Sequence, residues 1–342
     1  MENNKKLLWE AIFFILVFWG TVYGVFHGKD FSQTIQIIKD VKVLYLLPVV
    51  LCVLLFIWGE SIIIHYLLGS LNIKMRKWIC FLFSSIGFFF SCITPSASGG
   101  QPVQVYYMKR KGIPIPVATM VLMVVTITYK AVLVLIGLGM IVFGQEFIHE
   151  YLSDILPIFY LGIVLNVCCV GFMILLVFHT TLAKNILSKG LNFLEKIHLV
   201  HYKESRHKKL ESGMTKYQEA AAYFREHQLV VVNVLVITFI QRIAIFMSTY
   251  FVYLAFDLSG FSVIVIVLLQ AVISISVDML PLPGGMGISE KLFLTIFAPV
   301  FGAKILFPGM ILSRGLSYYT ELILCAIFTL VAHYVIEKKR PI

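Results

Sequence analysis

An all-α, polytopic membrane protein is the fold class this sequence predicts, on three observations. The 342 residues are 59% hydrophobic and only 13% charged, with a mean hydropathy of +0.91. A soluble core of that size would need far more polar surface to cover it. Apolar runs long enough to matter to a bilayer recur at about 7–26, 43–68, 78–108, 116–144, 154–178, 229–256, 262–304 and 306–336. Two of these runs are interrupted deep inside by proline and glycine: TPSASGGQP from Thr94 to Pro102, and LPLPGGMG from Leu280 to Gly287. Neither stretch continues a helix, because proline lacks the amide hydrogen and glycine pays for ordered backbone. Unpaired backbone groups in lipid cost several kcal/mol each, so such breaks persist only where protein or a water-filled cavity surrounds them.

The elements follow in order. The run from Leu7 to Phe26 is too long for a signal-peptide core and has no small-residue cleavage site after it, so it reads as a retained first span. Of the 28 Lys and Arg, twenty fall in one set of connections: Lys5 and Lys6, Lys74 to Lys77, Lys109 to Lys111, Lys184 to Arg225, and Lys338 to Arg340. The alternate connections hold only Lys29, Lys39 and Lys42, and 145–153 has no Lys or Arg. The positive-inside rule makes the first set, with both termini, cytoplasmic in a bacterial-type cell membrane. Segment 78–108 must then enter and leave on the cytoplasmic side, and 262–304 on the opposite side. Six full spans plus two oppositely oriented re-entrant helical hairpins close the parity.

The order span, hairpin, span occurs twice, at 43–144 and 229–336, in opposite orientations. This predicts an inverted repeat with a substrate site near the midplane. A run of ordinary spans with Pro and Gly kinks is the plainer alternative. The organisation is therefore 1–42, first span and external loop; 43–144, repeat 1; 145–228, a linking span and a basic insert; 229–342, repeat 2. The insert at 179–228 is too charged to span and predicts an amphipathic helix beside anionic lipid.

The formal net charge of +10 lies in these membrane-flanking loops, where it points to phospholipid headgroups as partners and not to nucleic acid. The six cysteines fall inside apolar segments without metal-ligand spacing, reading as small core residues. No HExxH, P-loop or Rossmann pattern appears, so no metal, nucleotide or other cofactor is predicted.

Nine charged residues remain within the apolar segments: Glu60, Lys130, Arg242, Asp278, Glu290, Lys291, Lys304, Arg314 and Glu321. An intramembrane charge is a functional hypothesis by default. A phosphate headgroup needs positive charge and hydrogen-bond donors. Arg242, Lys130 and Arg314 offer the charge. The amides of Gly99, Gly100, Gly284 and Gly285 offer a nest at half-helix ends, with hydroxyls from Thr94, Ser96 and Ser98. Glu60, Asp278, Glu290 and Glu321 are the charge partners or proton sites. The competing reading is that the cations only form structural ion pairs with Glu60, Asp278 and Glu321. Tyr318 and Tyr319 are weaker candidates to line the path; Lys291 and Lys304 can snorkel to the interface.

Three stretches, ITPSASGGQPVQVYYMKRKG with the following PVATMVLMVV, LPLPGGMGISEKLF, and SRGLSYYTELI, resemble the lysylphosphatidylglycerol synthase transmembrane-region family, the flippase-like domain of the multiple peptide resistance factor. The resemblance spans nearly the whole chain. It departs from the family pattern at Gln101 and Gln104, where an acid and an arginine are common, and keeps the acid at Glu290. The resemblance implies translocation of an anionic or lysyl-modified phospholipid, or of a polyprenyl-phosphate-like lipid, with a link to cationic peptide resistance. The alternatives are a phosphatidylglycerol lysyltransferase, for which no catalytic domain is seen before Ile342, and a scaffold that recruits a separate lipid synthase through the basic insert.

Overall fold

The computed structural model describes residues 31–95, 97–196, 204–282 and 284–337. The first span expected at 7–26 and the site candidate Ser96 lie outside them. The described chain is all-α. A short α1 (Phe31–Lys39) precedes α2 (Leu46–Ser70). Helices α3 (Lys77–Ile93) and α4 (Gly100–Arg110) flank the first break, and α5 (Ile115–Phe143) follows. After α6 (Gln145–Tyr151) and α7 (Leu156–Phe178), the insert forms α8 (Thr180–Lys196) and α9 (Glu204–Glu226). The second half holds α10 (Gln228–Ala255), α11 (Val263–Val277), α12 (Ile288–Ile296), α13 (Ala298–Arg314) and α14 (Thr320–Glu337). A π-helical turn, Gly315–Tyr319, joins the last two.

Local chemistry sets these boundaries. Helices α5, α7 and α13 each carry a proline in their first turn, where the missing amide hydrogen costs nothing. The Ser262 hydroxyl caps α11 by accepting from the Val265 amide at 3.4 Å. Among the described residues, five helical segments are long and apolar enough to cross a membrane: Val43–Ser70, Ile115–Phe143, Ser153–Phe178, Gln228–Ala255 and Ala298–Ile336. Their outer faces expose Leu47, Leu51, Phe143, Leu229 and Leu330, apolar surface of the kind that lipid covers. This is a multi-pass helical membrane protein.

Each break turns the chain so that its flanking helices pack together. A Cβ on Gly87 would lie 2.2 Å from the Gln104 amide nitrogen, and one on Gly100 would lie 2.1 Å from the Ser91 hydroxyl and 2.6 Å from the Gly87 carbonyl. The absent side chains are what allow α3 and α4 to close. In the second break Gly284, Gly285 and Gly287 have φ of 56°, 65° and 86°, a region that L side chains rarely adopt. The returning arm is shorter than the 262–304 expectation: α12 ends at Ile296, Pro299 starts the next helix, and Gly302, at φ 66°, kinks it.

Helix α2 packs along α10, and α3 along both α2 and α14. Lys42 ties the ends of α2 and α10 together, its amide donating to the Ala255 carbonyl at 2.9 Å and its ammonium pairing with Asp257 at 2.6 Å. The buried apolar side chains form two main groups. One surrounds the first hairpin, with Phe83, Ile86 and Met108. The other surrounds the second, with Leu269, Phe293 and Phe297. Helix α9 buries Met214, Tyr217, Ala221 and Phe224 in the first group, and the Tyr217 hydroxyl donates to the Leu176 carbonyl at 3.2 Å. The apolar face of this part of the insert is thus spent on the protein itself.

Candidate functional site

Between the two apolar groups lies a cavity of about 530 Å³, within the range that holds small-molecule ligands. Both breaks line it, through Ala97, Ser98 and Gln101 on one side and Leu282, Gly284 and Gly285 on the other. Glu60, Lys130, Arg242, Asp278, Arg314 and Glu321 also line it. Charged residues spread from Glu60 to Glu321, on α2, α5, α10 and the segments after it, converge there.

The three cations differ in what holds them. Lys130, 8% exposed, pairs with Asp278 at 2.5 Å. Asp278 also accepts from the Tyr129 hydroxyl at 2.7 Å. Arg314 pairs with Glu290 at 2.9 Å and donates to the Gly284 carbonyl at 3.0 Å. The other carboxylate oxygen of Glu290 accepts from the Gly287 amide at 2.6 Å, so Arg314 and Glu290 together fasten the second break. Arg242 has no such partner. It is 6% exposed, its Nε is buried without a hydrogen bond, and among the described residues no carboxylate lies within ion-pair distance of it. Its guanidinium carbon instead sits 3.3 Å from the centroid of the Tyr129 ring and 5.1 Å from that of Phe56. Such stacking on aromatic faces is worth up to about 2 kcal/mol when desolvated, yet among the described residues it leaves the N–H donors without a hydrogen bond.

The acids divide in the same way. Glu60 accepts from the Gln104 side-chain amide at 2.8 Å, and the Glu321 carboxylate lies 3.8 Å from the Cys92 thiol. Both act electrostatically on Arg242 from beyond ion-pair distance. The structural-pair alternative therefore describes Lys130, with Asp278 as named, and Arg314, with Glu290 in place of the three acids considered. It does not describe Arg242.

At the first break the Gly99 amide donates to the Thr94 hydroxyl at 2.9 Å and the Gly100 amide to the Ala97 carbonyl at 3.4 Å; at the second, the Gly285 amide donates to the Leu282 carbonyl at 3.2 Å. These amides serve the turns. Ser98 lines the cavity, as does Tyr318, whose hydroxyl donates to the Cys92 carbonyl at 2.9 Å. Tyr319 is 42% exposed and points elsewhere. Gln101 bonds the Thr126 hydroxyl. Sequence reasoning missed Tyr129 and Phe56, the rings beneath Arg242; a tyrosine next to Lys130 was the only signal.

A helical membrane protein with a half-open, charged cavity between two glycine-rich helix breaks is the class that fold and site define. Residues 7–325 match the family described as the lysylphosphatidylglycerol synthase TM region, and the chain belongs to that family. No curated protein gives a significant match.

Proposed function

We propose that this protein moves a lipid with an anionic phosphate headgroup between the leaflets of a bacterial-type cell membrane, and that Arg242 binds the phosphate. One observation carries the reading: a buried guanidinium with free donors, in a cavity bounded by two helix breaks. Burying a cation with no carboxylate at ion-pair distance is costly, and a phosphate oxygen is the bidentate partner its planar fork suits best. Membership of a lipid-modifying family supports a lipid as the carrier of that phosphate. The breaks belong to two oppositely oriented re-entrant hairpins of an inverted repeat on this reading.

The test is lipid movement in proteoliposomes of the purified protein. Arg242→Gln is expected to weaken headgroup binding about 10- to 100-fold, the worth of a charge-assisted hydrogen bond, and to lose most transport. Arg242→Lys should retain part of it through its point charge. Transport by Arg242→Gln at the normal rate would remove Arg242 from the site.

The orientation is tested by labelling single cysteines in a background without the native ones. Positions 109 and 215 are expected to react only from the cytoplasm and position 150 only from outside. Position 150 is exposed, whereas Ile148 in the same segment is buried. Reaction of position 109 from outside would sink the re-entrant reading of the first hairpin.

A further inference from the structure

The charges of the cavity do not balance in favour of an anion. Lys130 is matched by Asp278 and Arg314 by Glu290. Among the described residues that line the cavity, what remains is one cation, Arg242, with two carboxylates, Glu60 and Glu321. Ionised together, these three side chains carry one net negative charge. An incoming phosphodiester would double it, among side chains where like charges are screened less than in bulk water.

Among the described residues, no further cation free of an ion pair acts on either acid. Glu60, on α2, accepts from Gln104 of α4 and interacts electrostatically with Arg242 of α10, Glu321, and Cys325 of α14. Glu321, at the start of α14, accepts from the Cys92 thiol of α3 and interacts electrostatically with Tyr129 of α5, Arg242, Tyr318, Cys325, and Arg314 of α13, whose guanidinium is committed to Glu290. Water can reach them through the cavity that both line.

We propose that Glu60 and Glu321 form a proton-binding pair, and that an anionic headgroup enters the Arg242 site together with one proton. The proton comes from water and adds to a carboxylate oxygen; no other bond changes. The resulting neutral acid lowers the site's negative charge by one and gains an O–H donor. Binding the lipid and binding the proton then reinforce each other, because linkage is reciprocal. Lipid movement coupled to a pH difference across the membrane follows from the same exchange. This inference rests on Arg242 as the headgroup site.

The experiment is calorimetric titration of the full chain in phosphatidylcholine nanodiscs with dihexanoyl phosphatidylglycerol, corrected for empty discs. It is run between pH 5 and 9, in buffers of different ionisation enthalpy. The expected result is a buffer-dependent heat equal to uptake of up to one proton per lipid. Affinity should fall by up to tenfold for each pH unit at the alkaline end. Glu60→Gln/Glu321→Gln is expected to bind with no proton uptake and no pH dependence. Should that double variant not yield monodisperse protein, either single glutamine variant decides, since each alone removes the excess negative charge.

Lipid binding with equal heats in every buffer across the range would overturn the proposal, as would wild-type proton uptake in the glutamine variants. A different result, Arg242→Gln binding the probe as tightly as wild type, would reject the headgroup reading on which the proposal rests. The two failures are read from different variants.

Discussion

Replacing Gly284 by leucine is expected to abolish lipid movement while the protein still inserts and stays monodisperse. Two effects converge at this residue. Its φ of 56° costs an L side chain roughly 1–2 kcal/mol. A Cβ there would also sit 2.3 Å from the Tyr318 ring and 2.4 Å from its hydroxyl. The ring can swing aside only by giving up the hydrogen bond from its hydroxyl to the Cys92 carbonyl, which joins the end of α3 to the last third of the chain. The leucine would then occupy the cavity wall beside Arg314. Gly112→Ala is the control: φ is 86° but no atom lies within 4 Å, so it carries strain without obstruction and is expected to transport. Normal lipid movement by Gly284→Leu would exclude the second break from the path.

Neutralising one member of the Lys130–Asp278 pair should cost stability far more than neutralising both. Lys130→Met leaves a buried carboxylate whose remaining partner is the Tyr129 hydroxyl; Asp278→Asn leaves a buried ammonium. Each is expected to destabilise by about 3–5 kcal/mol, the usual cost of an orphaned buried charge. The double variant Lys130→Met/Asp278→Asn should recover most of that loss, seen as a restored thermal midpoint in detergent. It should also move lipid, because Lys130 is assigned a structural role here. An unshifted midpoint in Lys130→Met would show that the pair contributes nothing to folding. A folded double variant that binds no lipid would return Lys130 to the headgroup site.

Much of the architecture was readable in the chain because lipid imposes simple constraints. The spans at Val43–Ser70, Ile115–Phe143, Ser153–Phe178 and Gln228–Ala255 are continuous apolar runs within a residue or two of their expected limits; α3 ends at Ile93, just before the Thr94–Pro102 run, and α11 at Val277, shortly before Leu280–Gly287, although α4 already begins at Gly100. The convergence of Arg242, Lys130 and Arg314 on one cavity also followed from intramembrane charge.

The partners were harder to read. Glu290 meets Arg314 only because a turn of positive-φ glycines folds α12 back toward the end of α13. Tyr129 lies under Arg242 through packing between α5 and α10, which local periodicity does not encode. The insert's second helix has an apolar face that fits a lipid surface as well as a protein one; only tertiary contact decided between them.

The π-helical turn at Gly315–Tyr319 has a geometric consequence. In a regular α-helix, Arg314 and Glu321 would share one face, two turns apart. A wider coil advances less around the axis per residue, so the two point in different directions. Arg314 reaches into the second break and Glu321 toward the thiol at the end of α3, with Tyr318 between them bonded to the same stretch. The eight residues from Arg314 to Glu321 are thereby latched to both sides of the cavity. The same short stretch of chain thus braces both walls of the cavity, so loosening its contacts at one break is expected to disturb the other.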